Sequence, residues 1–303
     1  MYDIIVVGAG PAGLTAAIYA RRAGKSVMIL ERDSFGGQIV FSPKVENYPG
    51  FESVSGAELA DKLVSQALFQ GADVEVETVV GIETANGIHT VMTEEGTAYE
   101  CKAVILANGA RHRHLGVENE EKFIGDGISF CAVCDGAFYK NKTVALVGGG
   151  NSALQEAILL SETCKKVYVV QNLDFLTGEV RLQEILRARE NVEIITGTVV
   201  ASVCDGEEFN GIVTCNVASG AKGTLALDGL FVAIGLVPEN DAFAKQVTLD
   251  ERGYFAVGED CLSATAGVFV AGDCRAKGVR QVTTATGDGA TAAVAACRYL
   301  DTL

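Results

Sequence analysis

The chain has 303 residues, of which 24 are basic and 39 acidic, so its formal net charge at pH 7 is −15. This charge disfavours nucleic acids and anionic membrane surfaces as general partners, because both repel an acidic protein. Hydrophobic residues make up 49% of the chain, yet no apolar run is long enough to span a bilayer. The length allows two domains, each with its own core.

The cysteine content and the first residues predict a protein of the reducing cytoplasm. The 9 cysteines occur at irregular spacings, unlike the paired framework of a small secreted domain. An apolar strand is predicted over residues 2–7, so we expect no signal peptide.

A glycine-rich turn follows this first strand. Gly8, Gly10 and Gly13 come directly after residues 2–7, and a helical pattern runs over residues 14–23. The first glycine permits a tight turn, the second lets the backbone approach a pyrophosphate, and the third keeps the helix close to the strand. The helix N-terminus then offers free N–H groups to the phosphates. The pattern predicts a dinucleotide-binding turn.

An acidic residue completes this first motif. Glu31 follows a strand predicted over residues 26–30. A carboxylate at this place accepts hydrogen bonds from the ribose hydroxyls of an adenosine that carries no 2′-phosphate.

The motif recurs later in the chain. A second predicted strand ends at Gly148, and Gly150 and Ala153 complete a second turn before a second predicted helix. Two copies, each between a strand and a helix, are far more specific than one. The copies differ at one important position, because the first has Glu31 where the second has Gln171.

A close pair of cysteines precedes the second copy. Cys131 and Cys134 are separated by two residues, and Asp135 follows them. One thiolate of such a pair attacks a disulfide, and the neighbouring thiol resolves the mixed disulfide. A carboxylate beside them can carry the proton. A zinc site would need a second close pair, which the other cysteines do not form, so we expect a redox-active disulfide and no metal.

Two later segments look like returning pieces of the first domain. They cover residues 104–110 and 267–273, and the second ends in Asp273. An aspartate at the carboxyl end of a strand is placed to hold the ribitol of a flavin. We therefore predict an α/β fold of two Rossmann-like nucleotide-binding domains, the second inserted in the first. The predicted limits are residues 1–113 with 240–303 for the first domain and residues 114–239 for the second.

Together these motifs resemble the low-molecular-weight thioredoxin reductases, which are FAD-dependent pyridine nucleotide-disulfide oxidoreductases. The resemblance extends over essentially the whole chain. The matching segments are residues 8–13, 36–38, 46–50, 131–136, 148–153, 231–235, 271–273 and 280–281. The resemblance implies a homodimeric flavoprotein that reduces thioredoxin or a thioredoxin-like protein.

The resemblance also implies roles for individual residues. Cys134 faces the flavin and receives its electrons, Cys131 attacks the disulfide of the protein substrate, and Asp135 moves the protons. The second domain swivels to present the nicotinamide and the cysteine pair to the flavin in turn. The residues implied for FAD are Gly8, Gly10, Pro11, Ala12, Gly13, Glu31, Gly37, Gln38, Asn47, Gly109, Asp273, Arg280, Gln281 and Val282. The residues implied for a nicotinamide nucleotide are Gly148, Gly150, Asn151, Ser152 and Ala153.

The second nucleotide site departs from the family pattern. The family follows its second nucleotide strand with His-Arg-Arg-x-x-x-Arg, whose arginines clasp the 2′-phosphate of NADPH. Here residues 171–177 read Gln-Asn-Leu-Asp-Phe-Leu-Thr, with no cation between Lys166 and Arg181. Neutral amides do not replace guanidinium groups on a phosphate. Losing two or three charge-assisted hydrogen bonds of roughly 1.5–3 kcal/mol each would lower NADPH affinity on the order of a thousandfold or more.

Several hypotheses about the electron donor follow. The intact second glycine turn favours NADH, or weakly bound NADPH. An alternative is a ferredoxin-linked reductase that uses no pyridine nucleotide, in which the cations of residues 275–280 would dock an acidic partner. Further alternatives are an oxidase of small dithiols that passes electrons to oxygen and a flavin-binding redox sensor without turnover. His112 and His114 are predicted to lie in an exposed linker between the domains rather than to act as catalytic bases.

Overall fold

The chain folds into two compact units. A computed structural model describes residues 1–41, 45 and 47–303, and of Phe41, Val133 and Cys134 it describes the backbone alone. The first unit comprises Met1–Arg111 and Val237–Leu303, and the second comprises His112–Leu236. The limits predicted from the sequence place the crossings after residues 113 and 239.

The first unit opens with a strand–helix–strand motif. Helix α1 begins at Pro11, three residues before the predicted helix, because Gly10 is its N-cap and the missing N–H of proline costs nothing in the first turn. The elements up to the first crossing are β1 (Tyr2–Val7), α1 (Pro11–Arg22), β2 (Val27–Glu31), a 3-10 helix (Gly37–Phe41), α2 (Gly56–Phe69), β3 (Asp73–Val76), β4 (Val79–Ala85), β5 (Ile88–Thr93), β6 (Ala98–Leu106) and β7 (Arg111–His112).

The second unit repeats the motif. Its elements are α3 (Glu120–Phe123), β8 (Ile128–Ser129), α4 (Ala132–Asp135), a 3-10 helix (Gly136–Tyr139), β9 (Thr143–Val147), α5 (Asn151–Thr163), β10 (Lys166–Val170), α6 (Val180–Arg187), β11 (Val192–Ile195), β12 (Thr198–Val203), β13 (Gly211–Asn216), β14 (Lys222–Ala226), β15 (Gly229–Val232) and β16 (Leu236–Val237). The chain then returns to the first unit through a 3-10 helix (Asp241–Phe243), β17 (Val268–Val270) and α7 (Val282–Leu300).

The first sheet has the strand order β3-β2-β1-β6-β5-β4, and β17 also pairs with β6. Strand β1 is parallel to β2 and β6, with Val7 opposite Leu30 and Leu106. Since the carboxyl ends of parallel strands meet at one edge, Gly8 and Glu31 emerge side by side there.

The second unit repeats this arrangement in a parallel sheet of order β11-β10-β9-β15-β8. Strand β9 is parallel to β10 and β15, with Val147 opposite Val170 and Val232. Gly148 and Gln171 therefore emerge at one edge, as Gly8 and Glu31 do in the first sheet. Strands β12, β13 and β14 form a separate antiparallel sheet.

Small residues allow close helix packing in the first unit. Helix α7 lies so near α1 that a Cβ at Gly289 would run into the carbonyl of Ala12. The facing residues Ala16, Ala292 and Ala293 are fully buried. Among the described residues, no helix combines the length and the apolar character that a membrane crossing requires.

Candidate active site

The first glycine turn leaves the N-terminus of α1 open. Gly8 has a φ of +102°, and a Cβ there would collide with the carbonyl of Ala107, so this turn requires glycine. By contrast, a Cβ at Gly10 would meet no atom within 4 Å. The open space lies where the helix presents its free N–H groups, which suits a pyrophosphate.

The carboxylate of Glu31 is held beside this turn. Its Oε2 accepts a hydrogen bond from the N–H of Ala9 at 2.7 Å, and its Oε1 accepts one from the N–H of Asp33 at 3.0 Å. Both bonds fix the carboxylate at the carboxyl edge of the sheet, where its remaining lone pairs could accept hydrogen bonds from the hydroxyls of a ribose.

Asp273 carries a buried oxygen that needs a donor. Its Oδ1 is buried and has no hydrogen-bond partner among the described residues, and burial raises the pKa of this carboxyl group. Buried polar atoms in folded proteins are nearly always satisfied. A hydroxyl of the ribitol chain of a flavin is the kind of donor that would satisfy it, so this residue fits the predicted cofactor.

Asp288 holds the turn that leads to Asp273. It accepts hydrogen bonds from the N–H of Gly272 at 3.0 Å and from Lys277 Nζ at 2.8 Å. Arg275 donates to both of its oxygens, at 2.8 and 2.9 Å. Because the side chains of Arg275 and Lys277 are only 1% and 3% exposed, these two cations are not available to dock an acidic partner, and of the predicted cluster only Arg280 stays partly exposed.

The other residues predicted around the flavin also lie in the first unit. Arg280 donates to the carbonyl of Asp273 at 3.3 Å and lies over the ring of Tyr254. Asn47 Nδ2 donates to Gln281 Oε1 at 2.9 Å, and Gln281 is the N-cap of α7. Of the matching segments, Glu46 lies outside the described residues. Of the remaining predicted FAD residues, Gly37 and Gln38 lie in the 3-10 helix, Gly109 follows β6, and Val282 begins α7.

The cysteine pair lies at the start of a short helix in the second unit. Cys131 is disulfide-bonded, and Cys134 belongs to α4, although its side chain lies outside the described part of the structure. The pairing of these two cysteines therefore stays a prediction. The free cysteines are Cys101, Cys164, Cys204, Cys215, Cys261, Cys274 and Cys297.

Ser129 connects this pair to Asp135. The Ser129 hydroxyl donates to Asp135 Oδ2 at 2.5 Å, and Ser129 Oγ in turn accepts the N–H of Cys131 at 3.0 Å. The carboxylate is thus held next to the redox pair through one side chain. Sequence reasoning found Asp135 but missed Ser129, for which the sequence offers no signal.

Glu156 of α5 approaches the pair from a second direction. Its Oε2 accepts the N–H of Ala132 at 3.1 Å. Burial raises the pKa of this carboxyl group to about 7, against the lowering effect of the Ala132 bond. Sequence reasoning missed it, although an acid between the buried positions Ala153, Ala157 and Leu160 of one helix face was a usable signal.

The second glycine turn keeps one half of a dinucleotide site. Gly148 has a φ of +139° and, as in the first turn, its Cβ would collide with a neighbouring carbonyl. Asn151 and Ser152 begin α5 and are exposed. The N-terminus of α5 therefore remains suited to a pyrophosphate.

The other half of this site differs from its counterpart in the first unit. Gln171 is only 6% exposed, and its Nε2 donates to the carbonyl of Phe175 at 3.4 Å. A Cβ at Gly149 would lie 2.6 Å from its side chain. Whereas Glu31 binds the backbone of the glycine turn, Gln171 is hydrogen-bonded to its own loop.

That loop is fixed against the glycine turn. The N–H groups of Thr177 and Gly178 both donate to the carbonyl of Gly149, at 2.9 and 2.8 Å. Asn151 and Glu179 bond each other through an amide N–H and a backbone N–H. The segment where the family places its arginines is therefore well defined and carries no cation.

The predicted linker histidines pack on one aromatic ring. His112 and His114 stack on Phe130 with centroids 5.8 and 4.7 Å apart, and His114 Nδ1 lies 2.9 Å from Glu121 Oε1. His114 is exposed as predicted, but His112 is half-buried, and this burial lowers its pKa. Their stacking accounts for both side chains without a catalytic role.

Two dinucleotide-type glycine turns together with a disulfide-bonded cysteine are the architecture of a nucleotide-linked disulfide oxidoreductase. The sequence pattern of the pyridine nucleotide-disulphide oxidoreductase family matches residues 2–289. The chain belongs to this family, and it is an oxidoreductase.

Similar proteins sharpen this class. The chain is 40% identical to a thioredoxin reductase of Listeria monocytogenes, over 100% of this chain and 95% of that one. The crystal structure of thioredoxin reductase from Lactococcus lactis matches with a TM-score of 0.94 and 34% identity, over all of both chains. A ferredoxin-flavin thioredoxin reductase from Clostridium acetobutylicum matches with a TM-score of 0.55 and 30% identity, over 100% and 99% of the chains.

These comparisons confirm the predicted α/β fold with two Rossmann-like domains. They identify the chain as a flavoprotein disulfide reductase of the low-molecular-weight thioredoxin reductase type. Gly8, Gly10, Glu31 and Asp273 fit an FAD for the reasons given above. A bound flavin supplies the two-electron chemistry, while the protein orients it and the disulfide.

Proposed function

We propose that this chain reduces the disulfide of thioredoxin or of a thioredoxin-like protein through FAD and the Cys131/Cys134 pair. The observation that supports this most directly is the disulfide bond at Cys131, next to the hydrogen-bonded Ser129 and Asp135. A simple binding module has no need for an exchangeable disulfide with a carboxylate beside it.

The exchange runs through ordinary thiol chemistry. In the reduced pair, the Cys131 thiolate attacks one sulfur of the partner's disulfide, so a mixed disulfide forms and the second partner sulfur leaves. Cys134 then attacks Cys131, which closes the Cys131–Cys134 bond and releases the partner as a dithiol. Two electrons have moved to the partner, and Asp135 is placed to protonate the leaving sulfur.

An exposed aromatic residue beside the pair suits a protein substrate. Phe138 lies in the 3-10 helix that follows Asp135 and is 73% exposed. Aromatic residues are enriched in protein–protein interfaces relative to the rest of the protein surface. We infer that Phe138 contacts the protein partner while its disulfide reaches Cys131.

We propose NADH, or weakly bound NADPH, as the electron donor. The open N-terminus of α5, with exposed Asn151 and Ser152, supports binding of a pyrophosphate. The amide of Gln171 is buried and the loop after it has no cation, so neither a 2′-hydroxyl nor a 2′-phosphate would be bound strongly. We expect weak binding of both nucleotides with little discrimination between them.

A ferredoxin-linked reductase is the second candidate. It is favoured by the same loss of adenosine contacts at Gln171 and by the similarity to a protein named as a ferredoxin-flavin thioredoxin reductase. The fold does not separate the two candidates, because the chain matches structures named simply as thioredoxin reductase and one named as a ferredoxin-flavin thioredoxin reductase. The buried Arg275 and Lys277 do not supply the dock for ferredoxin.

An anaerobic titration distinguishes these donors. The purified protein is mixed separately with NADPH, NADH and reduced ferredoxin, and the flavin absorbance and the reduction of thioredoxin are followed. Slow or partial bleaching by both nucleotides supports the first proposal, and bleaching by ferredoxin alone supports the second. Fast, complete bleaching at micromolar NADPH contradicts our interpretation of residues 171–177. Sedimentation of the same sample tests the homodimer that the resemblance implies.

A further inference from the structure

A second carboxyl group lies beside the cysteine pair, on a different element from Asp135. Glu156 is on α5, and its Oε2 accepts the N–H of Ala132 at 3.1 Å. Ala132 directly follows Cys131 and is itself buried. The backbone next to Cys131 is therefore hydrogen-bonded to a side chain of the neighbouring helix α5.

The face of α5 that carries Glu156 packs on the segment that contains the pair. One turn further along, Leu160 is so close that a Cβ at Gly136 would lie 3.2 Å from its side chain. Glu156 is only partly exposed, and among the ion pairs of the described residues none includes it.

Other titratable groups surround α5, but the raised pKa of Glu156 is caused by burial. The pKa of Glu156 is raised to about 7 by burial, and the only opposing influence is the Ala132 amide. The elements packed against α5 are α4, the 3-10 helix after it, β9, β10 and α6. The titratable or charged residues with described side chains in or directly before these elements are Cys131, Asp135, Tyr139, Lys142, Lys165, Lys166, Tyr168, Glu179, Arg181, Glu184 and Arg187.

Disulfide reduction changes the charge next to this carboxyl group. Two electrons break the S–S bond, and each sulfur that takes no proton is left as a thiolate. A thiolate and a carboxylate close together disfavour each other's ionisation. A group that titrates near the working pH can relieve this repulsion by taking a proton from water.

We propose that Glu156 is a positioning residue of the disulfide centre, which binds a proton when the Cys131/Cys134 pair becomes a dithiol and releases it when the disulfide re-forms. Its bond to the Ala132 amide holds it in place for this role. The inference rests on the disulfide exchange proposed above, and it adds a proton-holding group that is distinct from Asp135.

The coupling is measured by the thiolate content of the reduced pair. The FAD-loaded full chain is reduced, treated with iodoacetamide between about pH 5.5 and 9, and the Cys131/Cys134 peptide is quantified by mass spectrometry. We expect the wild-type rate to rise in two steps, one of them near pH 7. Glu156→Gln keeps an acceptor for Ala132 but stays neutral, so we expect a single step and, near pH 8, alkylation about threefold faster or more.

Glu162 provides a matched control. It lies on the same helix, is exposed, and pairs with Arg189 at 3.7 Å, so Glu162→Gln should leave the two-step profile unchanged. Flavin absorbance reports whether each variant folds. If Glu156→Gln does not fold, Glu156→Asp keeps a carboxyl group further from the amide and should shift the step that lies near pH 7.

The possible outcomes separate this inference from the proposed function. A profile of Glu156→Gln that superimposes on the wild type, an unshifted step in Glu156→Asp, or a single step in the wild type overturns the role of Glu156, even if thioredoxin is reduced. A two-step profile that Glu156→Gln abolishes supports the role, even if thioredoxin proves not to be the substrate.

Discussion

One guanidinium group in the flavin-binding unit is shared by a buried and an exposed carboxylate. Arg275 is 1% exposed and binds Asp288, which is 7% exposed, and Glu259, which is 85% exposed. Removing one partner of a buried ion pair is costly because the other charge stays buried without compensation. An exposed carboxylate contributes far less, because water screens it.

We therefore expect Asp288→Asn to destabilise the protein by about 3–5 kcal/mol. Asp288 also holds the N–H of Gly272, next to the residue predicted to bind ribitol, so flavin should be released at a lower temperature. The rise in flavin fluorescence on heating measures this release. Glu259→Gln, the matched control, should cost at most about 1 kcal/mol, and equal effects of the two variants would contradict the argument.

Residues of the site differ in how well the sequence predicts them. Glu31, Cys131 and Asp135 follow from short motifs, because the chemistry depends on spacing along the chain. Asp288 and Glu156 act through partners on other elements, and that proximity exists only after folding. Arg275 and Lys277 show the opposite case. Their spacing in the sequence suggested an exposed basic cluster, but both side chains are buried and paired with carboxylates.

The two glycine turns show that the sequence motif determines where the following helix begins but not what the end of the next strand contacts. Both helices begin directly after the second glycine of their turn, at Pro11 and Asn151, because the backbone geometry that the glycines permit is the same. The strand that follows each helix ends differently. Glu31 contacts its glycine turn, whereas Gln171 bonds to Phe175, and only the structure shows where that amide points.

The loop after Gln171 is a suitable element for restoring a phosphate site. Asn172 is exposed and Leu173 is 41% exposed, and both occupy positions where the family has arginines. We expect the double variant Asn172→Arg/Leu173→Arg to bind NADP⁺ at least about tenfold more tightly, because each charge-assisted bond contributes roughly 1.5–3 kcal/mol. Isothermal titration calorimetry with NADP⁺ and NAD⁺ measures the change.

The control for this loop variant is Asn172→Gln/Leu173→Gln, which alters the same positions without adding charge. NAD⁺ lacks the 2′-phosphate, so its affinity should change little in either variant. An equal gain for NADP⁺ and NAD⁺ would show that the arginines act as general cations and do not recognise the phosphate.

At the scale of the whole molecule, the two chemical tasks lie in different units. The residues that fit FAD lie within Met1–Arg111 and Val237–Leu303, whereas the cysteine pair lies within His112–Leu236. The repeated motif made this division predictable. The points at which the chain crosses between the units are harder to predict, because a short apolar strand such as Leu236–Val237 carries no sequence signal that distinguishes a crossing from a strand inside a domain.

This division predicts that cofactor binding and disulfide exchange can be separated by one substitution. Cys134→Ser should leave the protein yellow with its full complement of FAD, because position 134 is outside the flavin-binding unit. Thioredoxin reduction should fall to the background rate, since the mixed disulfide at Cys131 then has no resolving thiol. The reduced variant should instead accumulate a covalent complex with thioredoxin that dithiothreitol cleaves, visible on a non-reducing gel.

Cys204→Ser is the control for that substitution, because Cys204 is a free, half-buried cysteine of the same unit. It should retain both FAD and full turnover. Sustained thioredoxin reduction by Cys134→Ser would mean that electrons leave the flavin by a route that does not need this pair. Loss of FAD from Cys134→Ser would mean that the two units do not bind their ligands independently, and the division of tasks argued here would be wrong.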